Sequence, residues 1–211
     1  MTQAADTPAP PLAAVILDLF GVVVSFDNDI VYARLARHCT DPERAFQQLN
    51  GLMASPEVIT GRVTLPEVHH RLVEAHGFGL DYPGFEAAWL EPYHAPMPGM
   101  AELVGQLSGR CRLVLLSNVD GYYWQVVRAG HPELACFDKL LVSCDLGLAK
   151  PDPAVFAYAS RAAGADPAHC LFVDDTRANV DAAAALGFRT HWFRHADGLR
   201  AELHRAGLVD R

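Results

Sequence analysis

Apolar and polar positions follow two different rhythms along the chain. The segment Val15-Ile16-Leu17-Asp18-Leu19-Phe20-Gly21-Val22-Val23-Val24 is an aliphatic, β-branched run broken by one carboxylate and one glycine. A short, continuously apolar run of this kind predicts a strand buried on both faces, as in the middle of a parallel sheet. Burying a lone carboxylate inside it would be costly. Asp18 is therefore expected where the strand ends, facing a crevice at the C-terminal edge of the sheet.

From about residue 26 to residue 94 the spacing turns helical. Asp27-Asn28-Asp29 precedes the apolar positions Ile30, Val31, Ala33, Leu35 and Ala36. Asp41-Pro42-Glu43 supplies an N-cap, a first-turn proline and a first-turn acid. Thr64-Leu65-Pro66-Glu67 has the spacing of a capping box. Asp81 to Leu90 closes the series before Pro92, and Gly61-Arg62-Val63 is its sharpest break. Four short helices with no strand between them predict a helical bundle inserted after the first strand.

Beyond Pro98-Gly99 strands and helices alternate. Strands are expected at Cys111–Leu116, Lys139–Ser143, His169–Val173 and Phe188–Phe193, each followed by a helical segment. Such alternation predicts an α/β fold built on a doubly wound parallel sheet. The expected organisation is a disordered lead-in over residues 1–11, an α/β core over 12–25 and 95–211, and a helical cap over 26–94.

Charge and composition narrow the partners. The formal net charge of −8 argues against a nucleic-acid groove or an anionic membrane surface, which require clustered Lys and Arg. No apolar run approaches the roughly 20 residues of a membrane span. Met1–Pro11 has neither the basic nor the apolar region of a signal peptide. The odd set of five cysteines, without a Cys-x-x-Cys pair, suits reduced thiols in a cytoplasmic protein.

The candidate chemistry lies in polar residues that directly follow the apolar runs: Asp18, Ser117-Asn118 and Asp174-Asp175. Parallel strands bring all three ends to one edge. Two unit charges about 4 Å apart repel by roughly 4 kcal/mol at an effective dielectric near 20, so converging carboxylates need shifted pKa values or a cation. An all-oxygen donor set suits Mg²⁺. Lys150 follows another strand and offers a further positive charge, while Ser117 and Asn118 offer donors to an anionic oxygen.

The set Asp18-Leu19-Phe20-Gly21-Val22-Val23, Leu116-Ser117-Asn118, Lys150-Pro151 and Val173-Asp174-Asp175 with Asn179 resembles the four motifs of the haloacid dehalogenase superfamily. The helical insertion after the first motif is similar to its capped, phosphatase-like branch, including sugar-phosphate phosphatases and the phosphatase domain of soluble epoxide hydrolases. The resemblance implies a Mg²⁺-dependent hydrolase of small phosphomonoesters in which Asp18 is the nucleophile. It further implies that the Phe20 main-chain carbonyl and Asp175 bind Mg²⁺ with Asp174 close by. Ser117 and Asn118 would hold the phosphoryl group, Lys150 would steady Asp18 and the phosphoryl oxygens, and Arg62 would reach the substrate from the cap. One position departs from the pattern. Phosphatases of the superfamily usually carry a general acid two residues after the nucleophile, where this chain has Phe20. An aromatic residue there is shared with 2-haloacid dehalogenases, so carbon–halogen hydrolysis is the rival expectation, with a catalytically weak ligand- or partner-binding protein a third.

Overall fold

The computed structural model describes residues 11–25, 27–92 and 94–210. The expected lead-in thus falls almost wholly outside the described residues. Five strands, β1 (Ala14–Leu17), β2 (Arg112–Ser117), β3 (Lys139–Val142), β4 (Cys170–Asp174) and β5 (Arg189–Trp192), form one parallel sheet in the order β3-β2-β1-β4-β5. β1 is central, with Leu17 level with Leu115 of β2 on one side and Val173 of β4 on the other. The chain therefore winds outward in both directions from β1, and the crevice beyond its carboxyl end is where such sheets bind ligands.

Alternation along the strands divides the core into two layers. Val15, Leu17, Leu113, Leu115, Leu171 and Val173 pack on one face against α6 (Met100–Leu107), α7 (Gly121–Gly130) and α11 (Ala196–Arg205). Ile16, Val114, Leu116 and Phe172 pack on the other against α9 (Pro153–Ala163) and α10 (Arg177–Ala185). Phe172 meets Phe156 edge-on at 5.2 Å. Each such fully buried side chain contributes about 1.5–3 kcal/mol.

The inserted segment has an apolar centre of its own. It comprises α1 (Asn28–Ala36), α2 (Pro42–Met53), α3 (Pro56–Ile59), α4 (Leu65–His76) and α5 (Tyr82–Leu90), one helix more than the sequence pattern predicts. The extra helix, α3, is a single turn capped by Ser55, too short to show a hydrophobic period. Leu35, Leu49, Leu72, Phe85 and Trp89 form the centre of this body. Arg34 donates to the carbonyls of Ala88 and Glu91 at 3.1 and 2.8 Å, fastening α1 to the end of α5. The expected N-cap Asp41 accepts a backbone N–H, as do Asp27 and Asp81 at the starts of α1 and α5, and the Thr64–Glu67 capping box is formed. The chain enters and leaves the helical body side by side. Ser25 N–H donates to Ala95 O, Met97 N–H to Val23 O, and Val24 bridges Pro96. Among the described residues no helix is long and apolar enough to cross a membrane.

Candidate active site

β1 stops one residue before Asp18 because the chain turns back on itself there. The amides of Val22, Val23 and Val24 all donate to Leu19 O, and Gly21 N–H donates to Val24 O. Gly21 sits at φ +77°, and a Cβ there would stand 2.2 Å from Asp175 Oδ2. Only glycine satisfies both the left-handed backbone and this close approach. The turn leaves Asp18 buried at the sheet edge, with Oδ1 accepting from Leu19 N–H at 2.7 Å.

Lys150 is fully enclosed between two carboxylates, its Nζ 2.8 Å from Asp18 Oδ1 and 2.7 Å from Asp174 Oδ2. It reaches that place on a loop between α8 (Ser143–Leu146) and α9 that begins with no regular structure. The loop is held by Asn118, whose side-chain NH₂ donates to Lys150 O at 2.8 Å while its carbonyl accepts from Lys150 N–H at 2.9 Å. Asp174 is locked in turn by Asn179 at 3.1 Å to each carboxylate oxygen and by Thr176 N–H at 2.8 Å. Asp175 points toward the cavity, accepting from Thr176 Oγ1 at 3.2 Å, and Trp192 Nε1 steadies its carbonyl at 2.8 Å.

Oxygens of Asp18, Asp174 and Asp175 lie within 4.8 Å of one another. Burial, opposed by Lys150 and reinforced by Asp174 and Asp175, pushes the Asp18 carboxyl up to about 8. Burial and Asp174 also raise Asp175. Burial pulls the Lys150 pKa down, but Asp18 and Asp174 outweigh it and raise it. With all three acids ionised, three carboxylates against one ammonium leave two negative charges; one divalent cation would balance them and oppose the upward shifts of Asp18 and Asp175. The donors are all hard oxygens, which suits Mg²⁺. The cluster thus fits such an ion on charge and on chemistry.

The cluster opens into a cavity of about 650 Å³ between sheet edge and helical body. Of the residues expected at the site, Asp18, Phe20, Ser117, Asn118, Lys150 and Asp175 line it. Asp174 lies just behind, fully buried against Lys150. Ser117 Oγ is buried with no hydrogen-bond partner among the described residues, which leaves it available to a ligand. Asn118 lines the cavity and also engages the Lys150 peptide groups through both polar atoms of its side chain, a structural role its sequence position did not signal. Arg62 differs from expectation. It is exposed, its Nε bonds Thr60 Oγ1 at 3.1 Å, and it is absent from the cavity wall. Ser143 Oγ holds the Ile59 carbonyl and Gly61 lies against the Cys144 backbone, so the loop presents Ile59 to the cavity instead.

Sequence reasoning missed other parts of the wall. Asn28, Asn50, Met53 and Trp89 come from the helical body, and Asp120 from the N-terminus of α7. Asp120 follows the Ser117-Asn118 motif by two residues, and its place before Gly121-Tyr122-Tyr123 was a readable N-cap signal. Phe20 packs against Tyr123 at 6.3 Å and His94 at 6.1 Å between ring centroids. Behind it runs a buried array in which His94 Nδ1 meets His131 Nε2 at 2.9 Å and His131 Nδ1 meets Glu133 at 2.8 Å.

Comparison with known proteins places these features in context. A family model described as haloacid dehalogenase-like hydrolase matches residues 12–187. D-ribitol-5-phosphate phosphatase of Bacteroides thetaiotaomicron is 26% identical over 196 residues, spanning 90% of this chain and 95% of that protein. A HAD-family enzyme of the same organism, solved with magnesium and inorganic phosphate, shares the fold with a TM-score of 0.74. It is 23% identical, over 88% of this chain and 96% of the other. The L-2-haloacid dehalogenase of Xanthobacter autotrophicus is similar at a TM-score of 0.62 and 21% identity, over 94% of this chain and 84% of its own.

Proposed function

This chain belongs to the haloacid dehalogenase-like hydrolase family, and from that premise we propose that it is a Mg²⁺-dependent phosphatase of small phosphomonoesters. The observation that carries the reading is the Asp18–Lys150–Asp174–Asp175 cluster, whose uncompensated charge matches a divalent cation. In this reading Asp18, Asp175 and the Phe20 carbonyl hold Mg²⁺, with Asp174 supporting them from behind. The ion supplies charge stabilisation to the transferring phosphoryl group.

Asp18 attacks phosphorus through the oxygen not bonded to Lys150, forming an aspartyl-phosphate that water then hydrolyses. Lys150 keeps Asp18 oriented and, with Ser117 Oγ, faces the phosphoryl oxygens. Asn118 holds the Lys150 loop in register through its two side-chain bonds. The helical body of residues 26–94 acts as the cap that closes the substrate cavity.

Lys150 is the one cationic side chain among the described residues of the cavity wall. The leaving-group half instead carries Asn28, Asn50 and Asp120 beside Met53, Ile59 and Trp89. That mixture favours a neutral polyhydroxy leaving group over one bearing a second phosphate. The relative acting on D-ribitol 5-phosphate supports the same sugar-phosphate class. Carbon–halogen hydrolysis, the rival favoured by Phe20, leaves the three-acid cluster without a purpose. The deciding experiment assays sugar phosphates, other phosphomonoesters and 2-haloacids with Mg²⁺ or EDTA. Phosphate release that EDTA abolishes is expected. EDTA-insensitive halide release would overturn the assignment.

A further inference from the structure

We propose that Asp120 is the general acid that protonates the leaving group, supplying from the start of α7 what position 20 lacks. The inference rests on the phosphatase reading above. Expulsion of a sugar alkoxide needs a proton, because the free alkoxide is a strong base. Of the three carboxyl groups that line the cavity among the described residues, Asp18 and Asp175 belong to the cluster beside Lys150. Asp120 stands apart from it on the wall shared with the cap residue Trp89.

Its hydrogen bonds suit a group that must carry and release a proton. Oδ1 accepts from the backbone N–H groups of Tyr122 and Tyr123, both at 3.0 Å. Oδ2 accepts from Trp89 Nε1 at 3.3 Å. A protonated carboxyl has one carbonyl oxygen and one hydroxyl oxygen. The two backbone donors occupy the carbonyl oxygen. The hydroxyl oxygen takes the indole N–H on a lone pair and keeps its own proton for the cavity. Once that proton has left, the same three donors stabilise the carboxylate. Burial raises the Asp120 carboxyl above its ordinary range, against the pull of Tyr123, Trp89 and Tyr122.

The proton balance is closed. As the bond from Asp18 to phosphorus forms and the bond from phosphorus to the leaving oxygen breaks, the Asp120 proton passes to that oxygen. In the second half, water oxygen bonds to phosphorus, the bond to Asp18 breaks, and a water proton returns to Asp120.

The test compares kcat/KM, which reports steps up to leaving-group departure, for a sugar phosphate and for p-nitrophenyl phosphate in Mg²⁺. Asp120→Asn retains an N-cap but has no acidic proton. It is expected to lose about 10²–10⁴-fold on the sugar phosphate and only a few-fold on p-nitrophenyl phosphate, whose leaving group needs no proton. Trp89→Phe removes the indole donor and keeps the acid, so the ratio between the two substrates should change far less. Equal losses on both substrates, or no loss, for Asp120→Asn would overturn the role of Asp120 alone. A wild-type chain that releases phosphate from neither substrate would overturn the phosphatase reading and this inference together.

Discussion

Replacing Gly21 by alanine isolates the geometry of the acidic cluster from the stability of the fold. Gly21 adopts φ +77°, where an L-residue costs about 1–2 kcal/mol. A second penalty is specific to the site. The new Cβ would stand 2.2 Å from Asp175 Oδ2, against a floor of 3.0 Å for real contacts, so the carboxylate must retreat by roughly 1 Å. Mg²⁺ demands near-octahedral ligands at about 2.0–2.1 Å, and a displacement of that size removes Asp175 from its coordination. Gly109 provides the control, because it has the same φ of +77° and no atom within 4 Å of its Cβ position. Urea unfolding in EDTA should show Gly109→Ala destabilised by about 1–2 kcal/mol and Gly21→Ala by at least as much, the excess being the cost of the clash with Asp175. Calorimetric titration with Mg²⁺ should show at least tenfold weaker binding, about 1.4 kcal/mol, in Gly21→Ala alone. Wild-type Mg²⁺ affinity in Gly21→Ala, or an equal loss in Gly109→Ala, would refute the assignment of Asp175 as a ligand.

Three further outcomes follow from the buried polar groups. Lys150→Met leaves Asp18 and Asp174 without their shared counter-charge and should cost about 3–5 kcal/mol in EDTA, with part of the loss recovered in Mg²⁺; denaturant midpoints check both. Asn118→Ala frees the Lys150 loop and should lower kcat more than it raises KM, in steady-state assays on any accepted phosphomonoester. Burial, and then His131, hold His94 below the ordinary imidazole range. The unfolded chain therefore takes up a proton near pH 6.5 that the native state refuses. The stability this residue contributes is complete above about pH 6.5 and is lost as pH falls toward the folded value. His94→Phe should flatten the stability–pH curve in that window, and an unchanged slope would show that His94 does not resist protonation.

The parts of the fold readable in advance were those written in local chemistry. A run such as Val15–Val24 admits little but a buried strand, and Asp41-Pro42-Glu43 or Thr64–Glu67 announce a helix start by their hydrogen-bonding needs. The site was readable for the same reason, since Asp18, Ser117 and Asp175 each end an apolar run and parallel strands share an edge. The single-turn helices α3 and α8 were not readable, because four residues hold no period. Arg62 was placed wrongly because the direction of its loop is decided by Ser143 and Cys144, more than 80 residues away. Asn118 was read only for its place in the Leu116-Ser117-Asn118 motif, because nothing near it in sequence reveals that its amide also matches the Lys150 peptide groups. Asp120 carried an N-cap signal, yet a cap and an acid look alike until Trp89 and the cavity are seen around it.

The side-by-side entry and exit of the helical body make it a detachable module in inheritance as well as in space. Because Val24 and Pro96 already pair, an insert of different length whose ends lie side by side could leave the sheet and its acidic edge undisturbed. Exchange of the insert would then rewrite which leaving groups are admitted while the strand-end carboxylates stay where β1, β2 and β4 put them. Selection can act on substrate choice and on phosphoryl chemistry as two nearly independent traits, coupled chiefly where the Trp89 indole reaches across to Asp120.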